Sequence, residues 1–306
     1  MRDKRISPTW SHLVLSSGGM GGLTYLGALG FLQENTALSA DIKHIAGTSI
    51  GSLFGFLFAI GAPMLEVEAH MRVYFTDPDV CQMDPGQFLL TFGVDDGARL
   101  VGPGRHFLKQ ILGLEDITFI ELAKMRGISL TVCATCLNTC APTYFSVDTT
   151  PGISVLEAIK ASMAVPLLFV PVKIGEQTYA DGAIVDNFPI HCYNTDANIL
   201  GLYVISADPP PIADPIANAL DYARVLAISL LHRAPEASRV AKLFKYICVF
   251  DENPIPTFPL QYNEEDAKIN LVLSEADIAA AYSYGYERMV AFWESKCSSL
   301  QTPEGR

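Results

Sequence analysis

A Gly-x-Ser-x-Gly pentapeptide, Gly47-Thr48-Ser49-Ile50-Gly51, stands between a short apolar run and a longer one. In a nucleophile elbow a serine occupies a sharp turn from a strand into a helix. Glycines two before and two after let neighbouring backbones approach without a Cβ clash. The flanks suit that geometry: residues 42–46 read as a short buried strand and residues 50–60 as a buried helix. The competing reading is a glycine-rich turn that happens to contain a serine, so the rest of the chain has to decide.

A chain of 306 residues can bury a large core, as one large domain or two ordinary ones. Half of it is apolar and only 18% is charged, which marks a globular protein. A net charge of −12 argues against a nucleic-acid binder, whose phosphate contacts need a basic surface. It does not exclude a lipid surface, because a local basic face can act within an acidic protein. No transmembrane segment is expected: the best stretch, residues 50–65, is short and broken by Ser52, Gly55, Gly61 and Pro63. The charged start Met1-Arg2-Asp3-Lys4-Arg5 leads into no apolar signal region, so no signal peptide is expected. A cytoplasmic protein, peripheral at membranes, is the expectation. Seven cysteines, an odd count, argue against a disulfide framework. Cys133, Cys136 and Cys140 lack a matching His or Cys pair and fall near the alternating run 129–137. They read as reduced, buried thiols with no metal.

Taken in order, residues 12–16 form a strand candidate that runs into Ser17-Gly18-Gly19-Met20-Gly21-Gly22 and then a helical stretch, 23–34. Such a turn gathers backbone N–H groups and a helix dipole into an anion site. Its spacing fits neither a dinucleotide fingerprint nor a P-loop. An oxyanion hole needs only paired N–H donors near a nucleophile, which the next βα unit supplies at Ser49. Residues 63–75 read as a helix, and 76–104 as an irregular loop or a cap over a cleft, with Phe88, Leu89, Leu90 and Phe92 looking exposed. A helix is expected at 118–126, ended by Gly127, then strands at 128–137 and 143–147. An amphipathic helix at 154–163 precedes strands at 169–174 and 177–180, which end at Asp181-Gly182-Ala183. Residues 199–206 are a fully apolar strand of parallel-sheet character. Alternating βα units with such strands indicate an α/β fold.

After Asp208-Pro209-Pro210-Pro211 the composition shifts towards helices, expected at 214–232, at 238–248 and after a Ser274 to Asp277 capping box. The expected division is a catalytic core at 12–206 and a helical C-terminal elaboration, 207–306, packed on the same domain. Val240, Leu243, Phe244 and Ile247 recur at helical spacing, flanked by Arg239, Lys242 and Lys245. Residues 239–258, including Phe258, are accordingly a candidate peripheral membrane contact beside the alternative of a core-facing helix with a solvated basic side.

An acyl-transfer site needs a nucleophile, a base and oxyanion donors. Ser49 and the Gly18/Gly19 turn supply the first and third. A Ser-His-Asp esterase could draw its base from His191, which follows Asp181 and Asp186, or from His232. Three blocks, however, resemble the patatin-like phospholipases: the turn at 15–29, the elbow with Gly47 and Gly51, and Asp181-Gly182-Ala183. The stretch 161–189, from Ala-Ser-x-Ala-x-Pro to Asn-x-Pro, is similar to that family's approach to its aspartate. The resemblance covers about residues 12–206 and implies a three-layer α/β sandwich, a mostly parallel central sheet with helices on both faces. It further implies a Ser-Asp dyad without histidine: Ser49 as nucleophile, Asp181 as base, and Gly18 and Gly19 as the oxyanion hole. No cofactor is implied, and the substrate would be a lipid acyl ester at a membrane surface, cleaved through an acyl-enzyme. A catalytically silent lipid-binding or regulatory protein of the same fold is the other reading. Two departures stand out. Ser17 replaces the family's first glycine of the turn, and Gly21 replaces its usual Arg or Lys. Without that cation, neutral esters should rival phospholipids as substrates.

Overall fold

In a computed structural model, the described residues are 9–193, 198–205, 246–251, 254–255, 259–263 and 268–299, with Leu226 and Phe244 singly. Among the described residues an eight-stranded sheet forms the centre. Its strands in chain order are β1 (His12–Leu15), β2 (His44–Thr48), β3 (Ser129–Cys136), β4 (Ala141–Ser146), β5 (Val172–Ile174), β6 (Gln177–Asp181), β7 (Ile199–Val204) and β8 (Tyr246–Phe250). In space they run β8-β7-β1-β2-β3-β6-β5, with β4 also paired to β3. The neighbours from β8 to β3 are parallel, while β4, β5 and β6 join antiparallel.

The sheet is covered on both faces, and the sequence shows why. Leu13, Leu15 and Ile45 belong to the main core, whereas Val14 and Ala46, pointing the other way, pack with Phe188, Ile190 and Tyr203. Strands buried on both faces lose the polar-apolar alternation, and Ile199–Val204 is accordingly buried at every residue. Seven helices are used below: α1 (Tyr25–Glu34), α2 (Ile50–Ile60), α3 (Met64–Tyr74), α4 (Gly102–Leu112), α5 (Phe119–Arg126), α6 (Val155–Ser162) and α7 (Glu275–Ser299). In α2, apolar but for Ser52, every residue except Phe58 is buried, and Gly61 ends the helix in the left-handed conformation at φ 82°. Thr118 and Glu121 close a capping box on α5, and Ser274 and Asp277 exchange the equivalent bonds before α7.

Helices α1 and α7 cross with their backbones touching. A Cβ on Gly27 would lie 1.9 Å from the Tyr282 carbonyl oxygen, and one on Gly285 would lie 1.9 Å from that of Thr24. This contact locks the C-terminal helix onto the first βα unit, the one that carries the glycine turn.

Several expectations need correcting. The elbow strand lies two residues later than 42–46, so it runs directly into Ser49. The helix expected from Leu23 opens instead as a 3-10 turn, Gly19–Thr24. The run 169–174 is two strands in different sheets: Leu167–Phe169 pairs with Gly93–Asp95, and Val172–Ile174 with Gln177–Tyr179. The C-terminal part is not purely helical. Tyr246–Phe250 is a strand of the central sheet, so the helix expected over 238–248 cannot reach its end, and Ile247 belongs to a strand. Leu260–Asn263 and Lys268–Leu271 form a second small sheet with Gln82–Met83. His232, Arg239, Lys242, Lys245 and Phe258, and the helix expected at 214–232 apart from Leu226, lie outside the described residues. Cys133 and Cys136 are buried thiols, but Cys140 is exposed on the turn between β3 and β4, at φ 52°.

Candidate active site

Ser49 is the last residue before α2, held at φ 53° and ψ −129°, a conformation that costs a non-glycine residue free energy. Tight packing around the turn enforces it. A Cβ on Gly47 would lie 2.6 Å from the Gly51 carbonyl group, and one on Gly51 would lie 2.4 Å from the Ser16 carbonyl oxygen. Both elbow glycines are therefore required by close approach. The Ser49 N–H donates to the Ser162 hydroxyl at 2.7 Å, and Ser162 in turn donates to the Cys133 carbonyl. Helix α6 thereby braces the turn, a role that no periodicity or composition signal in the sequence conveys. The positive end of α2 points at the Ser49 position and favours negative charge there.

The sheet register brings Asp181 to this serine. Thr48 lies opposite Cys133 of β3, and Asp181 lies opposite the next residue, Ala134. Because β4 occupies the other edge of β3, strands β2 and β6 share one edge and meet end to end. The Ser49 hydroxyl donates to Asp181 Oδ2 at 2.6 Å. Asp181 Oδ1 accepts the Ala183 N–H at 2.8 Å, which fixes the carboxylate plane. Asp181 is fully buried, and that desolvation pushes its pKa up from an ordinary 3.8 to about 7, against the pull of the Ser49 and Ala183 hydrogen bonds.

His191 stands elsewhere: its Nε2 lies 3.0 Å from Asp186 Oδ2 and 3.2 Å from the Tyr144 hydroxyl, with 63% of its side chain exposed. Gly19, at φ 52°, and Ser49 line the same cavity. Gly18 lies one residue back, where a Cβ would come 3.0 Å from Val204. Gly21 is buried within the 3-10 turn.

The rest of the cavity wall is apolar, including Leu53, Met83, Leu100, Leu168, Phe169 and Leu271. Much of it comes from 74–103, so the segment expected as loop or cap does form one side of a cleft. Arg99 organises that side. Its guanidinium donates to the Val80 and Gln82 carbonyls and pairs with buried Asp95 at 2.6 Å, while its own carbonyl accepts the Tyr74 hydroxyl at 2.6 Å. Leu90 and Phe92 are exposed, as expected. Among the described residues, no three His, Cys, Asp or Glu side chains gather as a metal site.

Fold and site together define an α/β protein with a serine elbow and a buried carboxylate partner on one sheet edge. A family model described as patatin-like phospholipase matches residues 13–192. The chain belongs to that family. Over 186 residues it is 30% identical to a probable lipid hydrolase, 463L, of Invertebrate iridescent virus 6, covering 59% of this chain and 62% of that one. It is 28% identical over 198 residues to the uncharacterized protein R571 of Acanthamoeba polyphaga mimivirus, covering 63% and 65%. The matches thus span just under two thirds of these relatives' lengths. Among solved structures, VipD from Legionella pneumophila aligns with a TM-score of 0.61 at 19% identity, covering 94% of this chain and 67% of that one.

Proposed function

We propose that the protein is a lipid acyl hydrolase of the phospholipase A, lysophospholipase or neutral-ester type, acting through a Ser49-Asp181 dyad. The observation that carries this reading is the 2.6 Å hydrogen bond from Ser49 to a fully buried Asp181, beside an apolar cavity that Ser49 itself lines. An apolar wall of this kind suits an acyl chain, which gains by leaving water.

In this reading the ester carbonyl carbon lies against Ser49 Oγ. As Oγ attacks, its proton passes to Asp181 Oδ2, a base whose burial brings its pKa near working pH. The oxyanion that forms is held by the Gly18 and Gly19 N–H groups and by the N-terminus of α2. Collapse breaks the ester C–O bond, and the departing alcohol takes the proton from Asp181. Water then gives a proton to Asp181, attacks the acyl-enzyme and releases the fatty acid, returning the proton to Ser49. The chemistry asks for no group beyond the chain and water. Its lipid substrate would be met at a membrane surface, with residues 12–206 supplying the catalytic groups and Tyr246–Phe250 completing the central sheet. The test is release of fatty acid from a lysophospholipid, a diacyl phospholipid and a neutral ester, comparing wild type with Ser49→Ala. Release by wild type alone supports the reading, and equal release by both ends it.

A further inference from the structure

Ser17, which replaces a family glycine, does something a glycine cannot. Its hydroxyl donates to the Asn187 side-chain oxygen, beside the bond from its N–H to the Asn187 carbonyl at 3.0 Å that a glycine would also make. Asn187 is anchored from behind, since its Nδ2 donates to the Tyr203 hydroxyl of β7 at 3.2 Å. Both Ser17 and Asn187 are buried, so these bonds do not compete with water. The residue before Asn187 ties in the other two parts of the site. The Asp186 carbonyl accepts the Thr48 hydroxyl at 3.0 Å, and its N–H donates to the Gly182 carbonyl at 2.9 Å. The dipeptide Asp186-Asn187 therefore touches the residue before the serine, the residue after the aspartate and the residue before the glycine turn.

We propose that Ser17 and Asn187 form a latch that positions the Gly18-Gly19 turn against Ser49. They are positioning residues, and their effect on turnover rests on the hydrolase reading above. The physical need is plain. Glycine-rich backbone has the most conformational freedom to lose, and oxyanion donors work only when already aimed. The neighbouring bonds from Ser16 to the Ser17 carbonyl and from the Val204 N–H to Ser16 hold the chain just before the turn. The Ser17-Asn187 pair is the tie at the residue that enters the turn.

The test uses Ser17→Ala, Ser17→Gly, Asn187→Ala and the double variant Ser17→Ala/Asn187→Ala in the full chain. Two quantities are read: kcat and KM on a soluble ester, and amide hydrogen exchange across residues 17–25. Each single change should lower kcat roughly tenfold with KM within about twofold. The double variant should match the worse single one, because both changes remove one shared bond. Exchange should quicken in the turn and stay unchanged in α2 and β3. Unchanged turn exchange, losses that multiply in the double variant, or a lowered melting temperature with unchanged kcat would each overturn the latch. Ser49→Ala, run alongside, separates the two readings. If it keeps wild-type turnover the hydrolase reading fails, while the exchange measurement still decides the latch.

Discussion

Thr48 and Asp181 pair with consecutive residues of one strand, Cys133 and Ala134, approaching from opposite directions along the same edge. The serine that follows Thr48 is thus delivered to the carboxylate by sheet register and not by a flexible loop. Preorganisation of this kind is what a carboxylate base needs, because it leaves little to arrange at the moment of proton transfer.

Activity should follow the charge of Asp181. With burial holding its pKa at about 7, the base is protonated and idle in acid. The profile of kcat/KM on a soluble ester should rise with pH through an apparent pKa near 7. A rising limb centred near 4 would contradict the burial of the functional base.

The same shift acts on stability, with the opposite slope. Between an ordinary 3.8 and about 7 the folded chain keeps a proton that the unfolded chain has released. The contribution of Asp181 is therefore fully present below about 4 and is lost as pH rises through about 7, by roughly 4 kcal/mol. Asp181→Asn should remove that slope and match or exceed wild-type stability at pH 8. Denaturant titrations of both proteins at pH 5 and pH 8 check this; parallel curves would contradict it.

Ser162→Ala should leave the Ser49 N–H without its acceptor in a buried turn. The expected cost is about 1–3 kcal/mol, divided between unfolding free energy and kcat. Denaturant titration and ester kinetics measure both parts. A variant unchanged in each would show that the elbow holds its strained φ without help from α6.

Gly285→Ala places a methyl group where the Thr24 carbonyl oxygen already lies, 1.9 Å from the ideal Cβ position. The helices must separate, at a cost of about 3 kcal/mol or more. Denaturation of Gly285→Ala and Gly27→Ala should show comparable losses, whereas Gly152→Ala, where a Cβ meets nothing within 4 Å, should lose far less.

What was legible in the sequence was local. The elbow, the aspartate turn, the buried helix after Ser49 and the Ser274 to Asp277 capping box each carry their signal within a few residues. What was not legible depended on distant partners. The run Leu167 to Ile174 is apolar but for Lys173, yet Pro171, which has no N–H to give, falls between the two ladders. Tyr246–Phe250 alternates buried and half-buried positions, a period of two that a short apolar stripe from 240 disguised as helical. The cavity wall at 74–103 is a set of short pieces held by Arg99, whose acceptors at Val80 and Gln82 lie 19 and 17 residues away. No periodicity reports such bonds. The Ser17-Asn187 tie spans 170 residues and was equally invisible, although both residues stood within blocks that carried the family resemblance.

The central claim is that Ser49 and Asp181, without a histidine, do the chemistry. The most direct measurement is turnover of a soluble ester by Ser49→Ala, Asp181→Asn and His191→Ala, each shown to melt cooperatively, with fluorophosphonate labelling mapped by peptide. The dyad predicts labelling at Ser49, loss of turnover in the first two variants by at least about a thousandfold, and substantial turnover in His191→Ala. Labelling at another serine, or a His191→Ala protein as inactive as Ser49→Ala, would contradict it.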